Sequence, residues 1–338
     1  MNLLVLTLLL SLSVTVFAKD GNKLDKWKPN SGSTVFLRAD SIHLEHTQKI
    51  LVISNRYFDD DSNELLLRGV HPHRQLFYFV IERSGDTASI IRCKDLASAM
   101  RVFTNDKSFL LFVNGHGKTF EQIIDRGSYI GSRYNVNMIM FDWPTEYYAI
   151  RKSIRNSRKV SNNFVTVIRE LDKILKTDFA EYSSSVVFHS LGNRIIKKAV
   201  QKDLLEGLPG DMFNNVVLNA AAVKQRGHAS WVDQLDIQEN IYIISNKGDL
   251  PLKGVKLMRF ATQLGSEYKP PLSGKAAYIN LSEIATNEHN AFLGLTPVEK
   301  EHPNVFTFYE QIFNGERVDL HNPNVYSETT IPGLYYIL

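Results

Sequence analysis

One cysteine, Cys93, stands among 338 residues, so no internal disulfide can form. An exported chain without bridges must be held by its core, which suits a bacterial envelope better than an animal secretory route. No Cys/His cluster has the spacing of a metal site, and neither repeats nor low-complexity tracts occur. Lysine and arginine number 39 against 36 acidic residues, a formal charge of +3 without a basic tract. That balance gives no support to a nucleic-acid or membrane-surface partner. No G-x-G-x-x-G follows the first strand of the α/β part, which disfavours dinucleotide binding. No cofactor is implied.

Long apolar runs are confined to the first 18 residues, Leu3–Leu10 and Val14–Phe17, followed at once by Lys19 and Asp20. Val16-Phe17-Ala18 fits the small-residue rule of a signal-peptidase site, and the apolar core is too short for a stable span. Residues 1–18 are therefore expected to be a signal peptide, and the mature chain to be exported to the periplasm or medium without an integral membrane segment. No cysteine near the cleavage point invites a lipid anchor. Hydrophobic residues make up 43% of the chain, enough to fill a sizeable core.

Past a polar, flexible lead-in over 19–33, the chain divides by texture. Residues 34–105 read as a β-rich part, with strands at Val35–Leu37, Ile50–Ile53, Glu64–Leu67 and Leu76–Ile81 and a short helix at Asp95–Val102. Residues 106–315 alternate strands and helices, the mark of a mostly parallel sheet covered on both faces. The strands are Phe109–Val113, Met138–Phe141, the run ending at His189, Asn215–Asn219, Ile241–Ile244 and Ala276–Ile279. Thr119 and Gln122 form a capping box, Phe164 to Leu175 show one apolar helix face, and Val305–Phe313 closes the part. Residues 316–338, with two prolines and a glycine after Leu320, read as an irregular tail.

Ser185-Val186-Val187-Phe188-His189-Ser190-Leu191-Gly192-Asn193 passes from a β-branched run to helical spacing at Ile195, Ile196, Ala199 and Val200. This is the plan of a nucleophile elbow, a strained turn that lifts a serine above the sheet. Gly192 supplies the small residue after the serine, but Phe188 stands where the one before it is wanted. In an open parallel sheet, ligands meet the carboxyl ends of the strands. There Ser190, Asp249 and His289 occur in the order serine, acid, histidine, each on the loop after a strand. Ser190 would attack a carbonyl, His289 would carry its proton, and Asp249 would orient the imidazole. The amides of Leu191 and His116 would bind the oxyanion.

Four stretches resemble the bacterial α/β-hydrolase family known as domain of unknown function 900. They are Ile53-Ser54-Asn55-Arg56, Phe112-Val113-Asn114-Gly115-His116 through Glu121, Phe141-Asp142-Trp143-Pro144-Thr145, and Phe188 through Arg194. The resemblance runs from about Lys49 to His289 and implies an α/β-hydrolase fold with a Ser-Asp-His site, without fixing a substrate. It departs at Asn114, where the family has histidine, and at Phe188, where it has a small residue.

Several residues have plainer roles. His189 should face away from the serine and pack. Asp142 should serve a strand-end turn, Tyr147 and Tyr148 should pack, and His302 and His321 should lie on the surface. The expectation is an exported serine hydrolase of a small-molecule or lipid-like acyl substrate. The alternative is a catalytically degenerate binding or scaffolding protein on the same fold.

Overall fold

The computed structural model describes residues 32–36, 42, 44, 46–57, 66, 75–145, 149–294 and 302–338. The expected leader, most of the lead-in, the strand at Glu64–Leu67 apart from Leu66, and Tyr147 and Tyr148 lie outside the described residues.

Apolar runs become strands of one sheet, in the order β1-β4-β3-β2-β6-β5-β7-β8-β9-β10-β12-β11. Four of them pair antiparallel at one side: β1 (Gly32–Phe36), β2 (Gln48–Ser54), β3 (Phe77–Ser84) and β4 (Thr87–Cys93). The centre is parallel throughout, from β2 to β6 (Asn137–Asp142), β5 (Phe109–Val113), β7 (Ser184–His189), β8 (Phe213–Asn219), β9 (Gln238–Ser245) and β10 (Ala276–Asn280). Every residue of β5, β6 and β7 is buried, as the apolar runs Phe109–Val113, Met138–Phe141 and Val186–Phe188 require of strands covered on both faces.

Successive residues of a strand serve opposite faces. Leu111, Val113, Phe141 and Phe188 pack with Phe164, Ile168, Ile195 and Ile196. Leu110, Phe112, Met140 and Val187 pack with Phe120, Ile123, Phe308 and Ile312 on the other side. The described α-helices are α1 (Leu96–Met100), α2 (Phe120–Arg133), α3 (Ile150–Lys159), α4 (Ser161–Asp178), α5 (Asn193–Val200), α6 (Ala229–Val232), α7 (Leu250–Arg259) and α8 (Pro303–Phe313), and those facing residues sit on α2, α4, α5 and α8. Helix α2 starts with the capping box of Thr119 and Gln122. No described helix is long and apolar enough to cross a membrane.

The expected irregular tail contains two short strands, β11 (Tyr326–Glu328) and β12 (Leu334–Ile337), between turns. β12 extends the sheet by pairing parallel with β10, Tyr278 opposite Leu334. Runs of three and four residues are too short to carry a period. The free edge of β10 makes them strands, and that edge exists only in the tertiary structure.

Candidate active site

β7 ends at His189, Ser190–Gly192 form a single 3-10 turn, and α5 starts at Asn193. Ser190 has φ +52°, in the left-handed region that costs an L-residue roughly 1–2 kcal/mol. Its neighbours hold it there. The Asn193 amide donates to the carbonyls of Phe188 at 2.7 Å, Ser190 at 3.1 Å and Asn219 at 3.3 Å. The Ala222 N–H also donates to the Ser190 carbonyl, at 3.1 Å.

The small residues this turn needs are Gly192 and Gly115. A Cβ on Gly192 would lie 2.6 Å from the Val113 carbonyl oxygen, and one on Gly115 would lie 2.8 Å from Ser190 Cβ. Phe188 obstructs nothing. Its ring is fully buried and meets Phe164 of α4 edge-on at 5.3 Å. The small-residue rule before the serine is therefore relaxed here, because that side chain enters the core rather than the turn.

The acid and the histidine meet. Asp249 Oδ1 accepts from the Leu252 N–H at 2.9 Å and so caps α7, while Oδ2 lies 2.5 Å from His289 Nδ1. The loops that carry the two residues are stitched together. Asn246 Nδ2 donates to the Glu288 carbonyl at 2.8 Å, and the Lys247 N–H to Ser282 Oγ at 2.8 Å. A Cβ on Gly248 would overlap the Thr286 carbonyl, 1.4 Å away, so only glycine permits this approach. With Nδ1 engaged by Asp249, Nε2 is the nitrogen left for proton transfer. The ring of His189, adjacent to Ser190, has its centroid 4.7 Å from that of His289. That contact puts the histidine loop beside the elbow. Among the described residues no hydrogen bond joins the Ser190 hydroxyl to His289. Catalytic hydrogen bonds often tighten only when substrate is bound.

The loop after β5 faces the elbow through Gly115 and so brings the backbones of His116 and Leu191 to one locality. His116 Nδ1 and Ser153 Oγ of α3 are 3.0 Å apart. Asn114 is firmly held: Trp143 Nε1 donates to its carbonyl at 2.7 Å and Arg126 Nη1 to its Oδ1 at 3.0 Å. The other Arg126 amino group donates to Asn290 Oδ1 at 3.2 Å. Arg126 thus ties the β5 loop to the histidine loop. Burial lowers its guanidinium to about 10 from an ordinary value near 12.5. No motif marks Arg126, but its place on the buried face of α2, between Ile123 and Ile130, is a signal legible in the sequence: a charge on an apolar stripe needs a partner. Asn193, Asn219 and Asn246, which also brace the site, carry no such signal. Isolated asparagines give no spacing to read.

His189 is buried, as expected. Its Nδ1 lies 3.1 Å from Asn219 Nδ2, whose Oδ1 in turn accepts from Tyr309 at 2.9 Å. Burial pushes its imidazole well below the ordinary histidine range, with the nearby His289 acting the same way. Asp142 does more than serve a turn: it forms a fully buried ion pair with Arg56 Nε at 2.7 Å and accepts from Ser54 Oγ at 2.8 Å. His321 is exposed and His302 half-buried. Among the described residues no cluster of His, Cys, Asp or Glu could hold a metal ion.

A family model, described as an alpha/beta hydrolase of unknown function (DUF900), matches residues 94–262, half of the chain. That span runs from before α1 to just past α7 and includes Ser190 and Asp249. His289 and the Ser54-Asn55-Arg56 stretch lie outside it, and the structure joins them to it through Asp249 and Asp142. No curated protein matches the chain. With the parallel sheet, the elbow and this match together, the chain belongs to the alpha/beta hydrolases of unknown function (DUF900).

Proposed function

We propose that this hydrolase cleaves a carboxylic ester or related acyl compound through an acyl-enzyme on Ser190. The Asp249–His289 hydrogen bond beside the strained Ser190 turn is the observation that carries this reading. Ser190 Oγ attacks the carbonyl carbon while His289 Nε2 takes the hydroxyl proton. The oxyanion is stabilised by the amides of Leu191 and His116. As the tetrahedral intermediate collapses, His289 returns the proton to the leaving alcohol. Water then repeats the cycle and releases the acid. Asp249 holds the imidazole tautomer and offsets the imidazolium charge. Asn114 and Phe188, the two departures from the family pattern, are both compatible with this reading, since one is pinned by Arg126 and Trp143 and the other is turned into the core.

A fluorophosphonate probe is expected to label Ser190 alone. Ser190→Ala should abolish both labelling and hydrolysis of short acyl esters and leave the melting temperature unchanged. A folded wild-type protein that takes no label would favour a binding protein on a hydrolase fold instead. We further propose export, on the strength of the Met1–Ala18 run. Secreted material should begin at Lys19, and a retained leader would refute this.

A further inference from the structure

The formal charge of +3 conceals an uneven surface. A cleft of about 940 Å³ runs beside α5 and is lined by seven lysines and arginines, among them Arg158, Lys198, Lys224, Arg226 and Lys269. No described aspartate or glutamate lines it, although Glu267 pairs with one of its cations, Lys269, at 3.9 Å. Asp203, Glu206, Asp233 and Asp236 line a separate cleft of about 520 Å³. Helix α3, which supplies Arg158, adds exposed Arg151, Arg155 and Lys159 and carries no acid. These cations are far apart in sequence and come together only through the packing of α3, α5 and the loops after β8 and α7.

One large apolar side chain stands among these cations. Phe260 lines the cleft, is 94% exposed and has φ +49°. An aromatic residue rarely adopts that backbone conformation, and strain of this kind concentrates at functional positions. In the last turn of α7, directly before it, Leu257 is 66% and Met258 47% exposed. A group of large apolar side chains in water next to a cationic cleft marks an interaction surface.

We propose that this face docks on a bilayer containing anionic phospholipid, with headgroup phosphates in the cleft and Leu257, Met258 and Phe260 among the outer acyl segments. Both halves of the surface are needed for interfacial binding: buried apolar area and attraction to anionic lipid. A single-stranded nucleic acid would ask for aromatic rings interleaved among phosphate contacts, on which bases stack. Here two of the three apolar residues are aliphatic, and all three sit together at one end of a helix. The face also borders the candidate site, because α3 reaches the β5 loop through Ser153 and His116. The proposal does not rest on catalysis.

The test is co-sedimentation of the mature chain with vesicles of phosphatidylcholine alone or with added phosphatidylglycerol, at low and high salt. Binding to the anionic vesicles should exceed binding to phosphatidylcholine by about tenfold or more and weaken in high salt. The double variant Lys224→Glu with Arg226→Glu should lose about 25-fold or more, at about fivefold for each cation removed. Phe260→Ser should lose several-fold. All these positions are exposed, and melting curves should confirm an unchanged fold. Binding that ignores phosphatidylglycerol, the absence of any vesicle binding, or full binding by both variants would overturn the proposal. So would tighter binding of a single-stranded oligonucleotide than of the anionic vesicles.

Discussion

Asp249→Asn is expected to lower turnover by a factor on the order of 10⁴, with substrate affinity and melting temperature nearly unchanged. The two carboxylate oxygens of Asp249 do separate work. Oδ1 caps α7 through the Leu252 N–H, and Oδ2 engages His289 Nδ1. Asparagine caps a helix about as well as aspartate, so the helix and the loop keep their positions. Its amide group, however, presents a donor to Nδ1. That favours the imidazole tautomer with its proton on Nε2, which cannot accept the serine proton, and it removes the charge opposite the imidazolium. Aspartate at 1% exposure has no solvent route to compensate. Steady-state kinetics with a short acyl ester, paired with melting curves, checks both halves. Near-normal turnover would remove Asp249 from the site, and a collapsed melting temperature would recast it as a structural residue only.

The opposite signature is expected at the other strand-end acid. Asp142→Asn should destabilise the fold by about 3–5 kcal/mol, because removing one partner of a buried ion pair leaves the other charge uncompensated. Arg56 depends on it heavily. Its side chain is 1% exposed, one amino group bonds the Lys118 carbonyl at 2.8 Å, and Nη1 is buried without a hydrogen-bond partner. In a chain of this size the loss corresponds to a fall in melting temperature of about 5 °C, from an unfolding entropy of roughly 2 cal/mol/K per residue. The surviving folded enzyme should turn over within about tenfold of wild type, since Asp142 is committed to Arg56 and Ser54. A large loss of turnover at unchanged stability would put Asp142, against its order in the chain, into the catalytic machinery.

The amino-acid sequence alone determined much of this protein. The central strands are apolar runs whose type and place follow from hydrophobic pattern, and the start of α2 follows from Thr119 and Gln122. The change from a β-branched run to helical spacing at Ser190 located the elbow, because a local turn leaves a local trace. The order of polar residues at strand ends selected Asp249 and His289, which the fold joins across 40 positions. Other features were decided only by tertiary structure, since each depends on which distant surfaces meet. β11 and β12 are too short to have a period and exist because β10 offers an edge. Phe188 conflicts with the elbow rule as a letter in a string, yet its ring has a place against Phe164. Arg126 joins the loops bearing Asn114 and Asn290, 176 positions apart (290 − 114). The cations around the α5 cleft are scattered from Arg158 to Lys269 and form no tract, so composition read them as dilute. Packing two helices and two loops together made them a single charged face, because electrostatic potential sums over distance in space and not along the chain.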